Sequence, residues 1–326
     1  MIDVMPTIGT RQLRKLHIRY PVRSERSWWQ KLWIVFVGSS LAPAYLLMAA
    51  RYKVPGLQFR VYCAQLALHL FLKKSGNVSY QTIFSLLFWP FDSTRYFEFD
   101  FIWRRISNFS PGRYLDVSSP RLFPLVVMRR RVQLTAEILN PDSNDLTETR
   151  NLARATGIEN RCNFHNVFVE SAPFDPASFD LITCISVLEH IPHNAAALRT
   201  MWDLLRPGGR LYLTLPCLAE AAVQYANMNL YGLRVPREEE FTFLQYYYDE
   251  ALLREVVFPI TGEPRSIAIY GEKREGLFRR YVDTARSNPL YPRWRDPYRM
   301  GREFSEFASI PALPGEGVVA MEFVKP

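Results

Sequence analysis

Three groups of residues have types and spacings suited to chemistry. The first is Tyr114-Leu115-Asp116-Val117, a short apolar run carrying an acid, followed by Ser118, Ser119, Pro120 and Arg121. A hydroxyl followed by proline predicts a helix start, with Ser119 as cap and Pro120 at the first helical position. The free amides and positive dipole end of that helix favour an anion, and Arg121 adds a charge. The second is Glu137, which stands 137 − 116 = 21 residues beyond Asp116. A carboxylate about twenty residues after the first turn is where nucleotide-type α/β sheets hold ribose hydroxyls, because one carboxylate accepts from both. The third is Val187-Leu188-Glu189-His190-Ile191, in which His190 alone suits proton transfer near neutral pH. The other reading of His190 is a ring that closes a turn by hydrogen bonding. No third ligand stands at zinc-like spacing from His190 and His193, so no metal is expected.

These groups need strands and helices to position them. Phe179–Ile185 is an apolar run interrupted only by Asp180 and Thr183, the pattern of a strand buried on both faces. The Val187–Ile191 group follows where that strand ends, and open α/β sheets bind their ligands at the carboxyl ends of strands. From Asn194 to Leu205, apolar residues recur at spacings of three and four and predict a helix lying on the sheet. Pro207, Gly208 and Gly209 stop it, and Leu211, Leu213 and Leu215 begin the next strand. Upstream, the spacing predicts strands at Tyr114–Val117, at Val132–Ala136 ending in Glu137, and at Asn163–Val169. Downstream it predicts strands at Ile267–Tyr270 and Val318–Val324.

Two motifs in order, PF-x(4)-FD-x(6)-VLEHI from Pro173 to Ile191 and LRPGG ahead of an apolar strand, carry a resemblance. The chain resembles class I S-adenosylmethionine-dependent methyltransferases of the small-molecule type, most clearly over Tyr114 to Pro216. The resemblance implies a Rossmann-like, seven-stranded, mostly parallel sheet with a reversed last strand, and S-adenosyl-L-methionine as cofactor. It implies methyl transfer to a small-molecule or glycan-like acceptor, with His190 as the residue nearest to a base. The cofactor would lie across Asp116, Ser118, Ser119 and Glu137, with Arg121 near its carboxylate and Val187 and Leu188 beneath it. The family's glycine-rich loop is replaced here by Ser118-Ser119-Pro120-Arg121, which we read as remodelled; the alternative is a turn closed over a lost pocket. The family's adenine-binding acid falls on Phe168, whose ring could stack on the base, and Glu170 stands two residues on. A rival from another class is a non-catalytic member of this fold that serves as a binding or scaffold subunit.

Composition sets the context. The chain has 326 residues, 48% hydrophobic, enough for one large core with additions. Four scattered cysteines read as reduced core thiols, which places the protein in the cytoplasm. Residues 1–60 hold ten Lys and Arg against two acids, 10 − 2 = +8, equal to the charge of the whole chain. That segment also carries the uncharged run Leu32–Ala50, of borderline length for a bilayer span. Gly38, Ser39, Ser40 and Pro43 are expected to break it, leaving a helix from about Ala42 to Tyr52, and Val61–Leu72 predicts another. Residues 1–110 therefore read as a basic, apolar helical extension, either a cap on the domain or an attachment to a membrane surface through residues 11–72. Residues 111–326 read as the α/β domain, with insertions at about 217–265 and 271–317. No nucleic-acid partner is expected, because no reading module accompanies the basic segment.

Overall fold

The computed structural model describes residues 11–73, 78–91, 94–107, 109, 112–229, 232 and 235–326. Strands β1 (Arg14–Ile18), β2 (Arg113–Val117), β3 (Thr135–Leu139), β4 (Cys162–His165), β5 (Phe179–Ile185), β6 (Leu205–Cys217), β7 (Ala222–Ala226), β8 (Arg237–Glu238), β9 (Phe241–Tyr247), β10 (Ser266–Glu272), β11 (Phe304–Phe307) and β12 (Gly317–Val324) form two sheets. The larger has eight strands in the order β11-β10-β12-β6-β5-β2-β3-β4. β4, β3, β2, β5 and β6 run parallel, and β12 is antiparallel to both β6 and β10. This is the mostly parallel Rossmann-like sheet with a reversed last strand. It has eight strands where seven were expected, because β11, from the segment before β12, pairs antiparallel with β10 at the edge.

Nine helices matter for the site and its surroundings: α1 (Trp28–Arg51), α2 (Leu57–Leu72), α3 (Tyr80–Phe88), α4 (Arg95–Ile106), α5 (Leu122–Arg130), α6 (Ser143–Ala155), α7 (Asn194–Leu204), α8 (Leu277–Ser287) and α9 (Asp296–Glu303). All seven residues of β5 are buried. Its alternate side chains divide between two cores: Leu181 and Ile185 join residues of α2, α4 and α5, whereas Ile182 and Cys184 join α7 and the smaller sheet. All four cysteines are buried and free.

The smaller sheet, in the order β1-β7-β9-β8, was not legible in the sequence. β1 comes from the amino-terminal segment and pairs parallel with β7, from the segment after β6.

Four expected boundaries are corrected. The β6 strand begins at Leu205 rather than Leu211, so Pro207, Gly208 and Gly209, expected as the turn ahead of it, lie within its span as an irregularity in the pairing with β5. The β3 strand runs Thr135–Leu139, not Val132–Ala136, so Glu137 stands in its middle. Val132 falls in the preceding turn because the Arg161 guanidinium gathers the carbonyls of Met128, Arg131, Val132 and Leu134 at 2.7–3.3 Å. The β4 strand stops at His165, and Val169–Ser171 forms a 3₁₀ turn. The α1 helix is unbroken from Trp28 to Arg51. Gly38 lets it approach Phe88 and Trp294, since a Cβ there would stand 2.7 Å from the Phe88 ring. The Ser40 hydroxyl bonds back to the Phe36 carbonyl at 2.9 Å. Pro43 frees only the carbonyl of Ser39, which is exposed to water.

Candidate active site

A cavity of about 870 Å³ opens at the carboxyl ends of β2, β3 and β5, where a parallel sheet leaves room for a ligand. Its floor is Val117 to Leu122, one side is Asn140 to Asp142, the other is Ile185 to Val187 with His190 and Ile191, and Phe168 to Glu170 stand at the rim. The amino-terminal segment closes the top through Leu66, residues of α3, Trp89, Phe91 and Arg95. The turn after β2 has therefore not sealed over the site.

The floor is held by Asp116, which is buried and does not line the cavity. It accepts from the Tyr114 and Thr183 hydroxyls at 3.0 and 2.8 Å and from the Ser119 amide at 3.2 Å. Burial pushes its carboxyl up to about 6 despite those bonds. Ser118 stands in the left-handed region, with φ 51°, and its amide and hydroxyl both donate to the Leu139 carbonyl, at 2.8 and 3.1 Å. That conformation suits the glycine expected by resemblance and strains a serine.

Ser119 does not cap the helix. Its hydroxyl is turned inward, accepting from the Ile185 amide at 3.2 Å and donating to the Thr183 carbonyl at 3.4 Å. Thus it pins the end of β2 to the end of β5, and α5 begins at Leu122 without a side-chain cap. Arg121 lines the cavity but forms an ion pair with Asp145 and approaches Glu148 at 3.8 Å.

Glu137 lies outside the cavity lining. Its carboxylate meets His165 at 2.7 Å, Asn163 at 3.2 Å and Arg113 at 3.5 Å. The residues that β3 delivers to the cavity are Asn140 and Asp142. The Asn140 carboxamide bonds Asp145 and the Asp142 amide, at 2.8 and 2.9 Å, and the Asp142 carboxylate caps α6. Glu170 is exposed at the rim, and Phe168 is half exposed beside it.

On the β5 side, Val187 lines the cavity whereas Leu188 is fully buried in the core beneath. The His190 Nδ1 stands 2.7 Å from the Leu244 carbonyl on β9, so that nitrogen carries the proton and donates. Burial lowers its pKa to about 4, leaving the ring neutral and weakly basic near pH 7. The ring therefore ties the turn after β5 to the smaller sheet.

A network around Glu98 escaped the sequence reading. Its buried carboxylate accepts from Ser186 Oγ at 2.5 Å and Thr214 Oγ1 at 2.6 Å, and pairs with Arg95 at 2.6 Å. Ser186 is also left-handed, with φ 47°. The only signal was the Arg95–Glu98 spacing of three within an otherwise aromatic helix. Glu189, buried next to this network, has its carboxyl pushed up to about 8 by burial, so it is mostly protonated near neutral pH. Among the described residues no cluster of metal-ligating side chains occurs.

Residues 94–256, which contain the cavity floor, both its sides and the Glu98 network, match the family model described as a methyltransferase domain. The chain belongs to the methyltransferase-domain family. Methyltransferase GfsG of Streptomyces halstedii is 30% identical over 110 residues, 34% of this chain and 40% of that protein. The ubiquinone biosynthesis O-methyltransferase of Xanthomonas campestris pv. campestris strain B100 is 33% identical over 106 residues, 32% of this chain and 43% of its own length. The chain thus spans about two fifths of these curated relatives. Among solved structures, geranyl diphosphate C-methyltransferase from Streptomyces coelicolor A3(2) shares 11% identity, over 70% of this chain and 75% of that one, at a TM-score of 0.46.

Proposed function

We propose that this methyltransferase-family chain transfers a methyl group from S-adenosylmethionine to a small-molecule or glycan-like acceptor. The observation that carries the reading is the open cavity at the carboxyl ends of β2, β3 and β5, inside the segment that matches the family. The donor supplies a methyl group already activated on a sulfonium, so the protein's task is positioning and exclusion of water. In the first turn of α5 the Phe123 amide already donates to the Pro120 carbonyl at 2.9 Å and Pro124 has no N–H, so the amides of Arg121 and Leu122 at the entry to the helix are the ones offered to a carboxylate. Asn140 and Asp142 take the ribose side in place of Glu137, and Phe168 offers a flat face to a base. Asp116 and Leu188 support the floor from beneath without lining the cavity, and Ser119 forms part of the floor with its hydroxyl turned inward. Arg121, Val187 and His190 form its walls, and Glu170 guards the rim. His190, held neutral through Leu244, acts as a wall rather than as an efficient base.

The division at about residue 110 assigns transfer to the α/β part and attachment to the extension. We place the protein in the cytoplasm, resting on a membrane surface through α1. By length and composition α1 could cross a bilayer. Yet it lies along the domain, with Gly38 against Trp294 and Tyr45 and Tyr52 against Tyr298, while Trp28, Trp29, Trp33 and Phe36 face outward. That disposition supports immersion of one side over a span.

Calorimetry with S-adenosylhomocysteine tests the enzyme reading. Saturable heat is expected, and Val187→Trp, which projects a bulky ring into the cavity from its β5 side, should weaken it while leaving the thermal midpoint nearly unchanged. Absence of heat from the unsubstituted protein at millimolar ligand would overturn it.

A further inference from the structure

Away from the cavity, between the chain leading into α1 and the helix α8, lies a small pocket of about 210 Å³. Its lining is Arg23, Arg286 and Arg293 with Phe278, Tyr281, Val282 and Ala285. Three arginines thus line one space, and no acidic residue lines it among the described residues. Of the neighbouring acids, Asp283 pairs with Arg279 at 2.8 Å and offsets part of the charge on Arg286, and Asp296 accepts from the Tyr281 hydroxyl at 2.9 Å.

Arg286 and Arg293 are held in place by hydrogen bonds to backbone carbonyls. Arg286 donates from Nε to the Pro21 carbonyl at 3.2 Å, and its Nη2 lies 3.3 Å from the Met228 sulfur. Arg293 donates from Nη2 to the Ala285 carbonyl at 3.3 Å, while its Nε is buried with no hydrogen-bond partner among the described residues. Arg26, next to the pocket, donates to the Pro289 carbonyl at 2.7 Å and stacks over Trp89. Burial, and then the like charges of Arg23 and Arg293, lower the pKa of both Arg26 and Arg286. Such an arrangement is self-repelling when empty and is relieved by an anion that accepts several N–H bonds at once.

We propose that Arg23, Arg286 and Arg293 form a binding site for a phosphoryl group, separate from the candidate active site. Phosphoryl oxygens match the planar donors of arginine, and the Phe278, Val282 and Ala285 wall accommodates an apolar ester substituent. The site stands immediately ahead of α1, whose first residues Trp28 and Trp29 are exposed and stacked with ring centroids 3.6 Å apart. A bilayer headgroup and a soluble phosphate share the chemistry, and this position brings either within reach. The inference does not depend on methyl transfer.

The test uses the full chain. Titration calorimetry with inorganic phosphate, against chloride at equal ionic strength, should show one saturable site. Arg23→Gln, at an exposed position that leaves the fold intact, and Arg293→Gln should each weaken it about tenfold. Sedimentation with phosphatidylcholine vesicles, with and without phosphatidate, separates the sources. Retention on phosphatidate vesicles that free phosphate competes away identifies a headgroup, whereas phosphate binding without vesicle retention identifies a soluble ligand. Heat indistinguishable from chloride together with no phosphatidate preference overturns the site, as does binding that survives both substitutions.

Discussion

Two turns flank the cavity, one after β2 and one after β5, and each begins with a serine in the left-handed region, Ser118 and Ser186. Both carry backbone strain on the order of 1–2 kcal/mol relative to glycine, but they are held differently. The Ser118 hydroxyl reaches a carbonyl that its own amide already satisfies. The Ser186 hydroxyl reaches Glu98, a buried carboxylate that also holds Thr214 and Arg95. The serine after β5 is therefore part of a charged network that fixes the turn and α4 together. The serine after β2 is a strained substitute whose side chain makes no unique contact.

The largest expected effect breaks the network at its centre. Glu98→Ala should cost about 3–5 kcal/mol in chemical denaturation, since it removes the acid from a buried ion pair; a loss under about 1 kcal/mol would show that the network does not hold the turn. The titrating groups of the two turns should then act with opposite sign. His190 has its pKa lowered to about 4, so the unfolded chain binds more protons between about pH 6.5 and 4 and stability falls as pH drops through that window. The stability difference between the unsubstituted protein and His190→Gln should shrink by about 3 kcal/mol from pH 7 to 4. Asp116 has its pKa raised to about 6, so the folded state holds the proton longer and stability falls as pH rises from about 4 to 6. Asp116→Asn should remove that loss, again about 3 kcal/mol. Denaturation curves at pH 4, 5, 6 and 7 measure both, and parallel pH profiles for the two variants would refute the opposed signs.

The same contrast explains what was legible in the sequence. The β5 strand, the turn at Val187 and α7 are built from contiguous apolar periodicity, so β5 appears at its expected bounds and α7 ends one residue early, whereas β6 begins at Leu205, six residues ahead of the expected Leu211. The first half of the sheet is set by distant contacts that no local pattern carries. Arg161 gathers four carbonyls of the turn before β3 and so moves Glu137 to mid-strand, out of the cavity. Ser119-Pro120 has the composition of a helix start, yet the hydroxyl meets a better-placed partner across the sheet in Ile185. Glu98 lay hidden because an acid among aromatic residues looks solvent-facing until Ser186 and Thr214 are brought to it by strands that follow much later in the chain. The smaller sheet needs pairing between β1 and β7, more than 200 residues apart, and periodicity cannot report a partner at that distance.

The smallest effects decide the comparison most directly. Ser186→Gly relieves the left-handed strain but takes one hydroxyl from a buried carboxylate, so a net loss of about 1–2 kcal/mol is expected. Ser118→Gly relieves the same strain and loses only a bond that the amide duplicates. Glycine's extra freedom in the unfolded chain offsets about 0.5–1 kcal/mol of that gain. The net change should lie within about 0.5 kcal/mol of zero or be stabilising, and the added room should tighten S-adenosylhomocysteine binding in the calorimeter. If Ser118→Gly proved as costly as Ser186→Gly, the Ser118 hydroxyl would be a structural bond in its own right, and the β2 turn would be as firmly built as its counterpart.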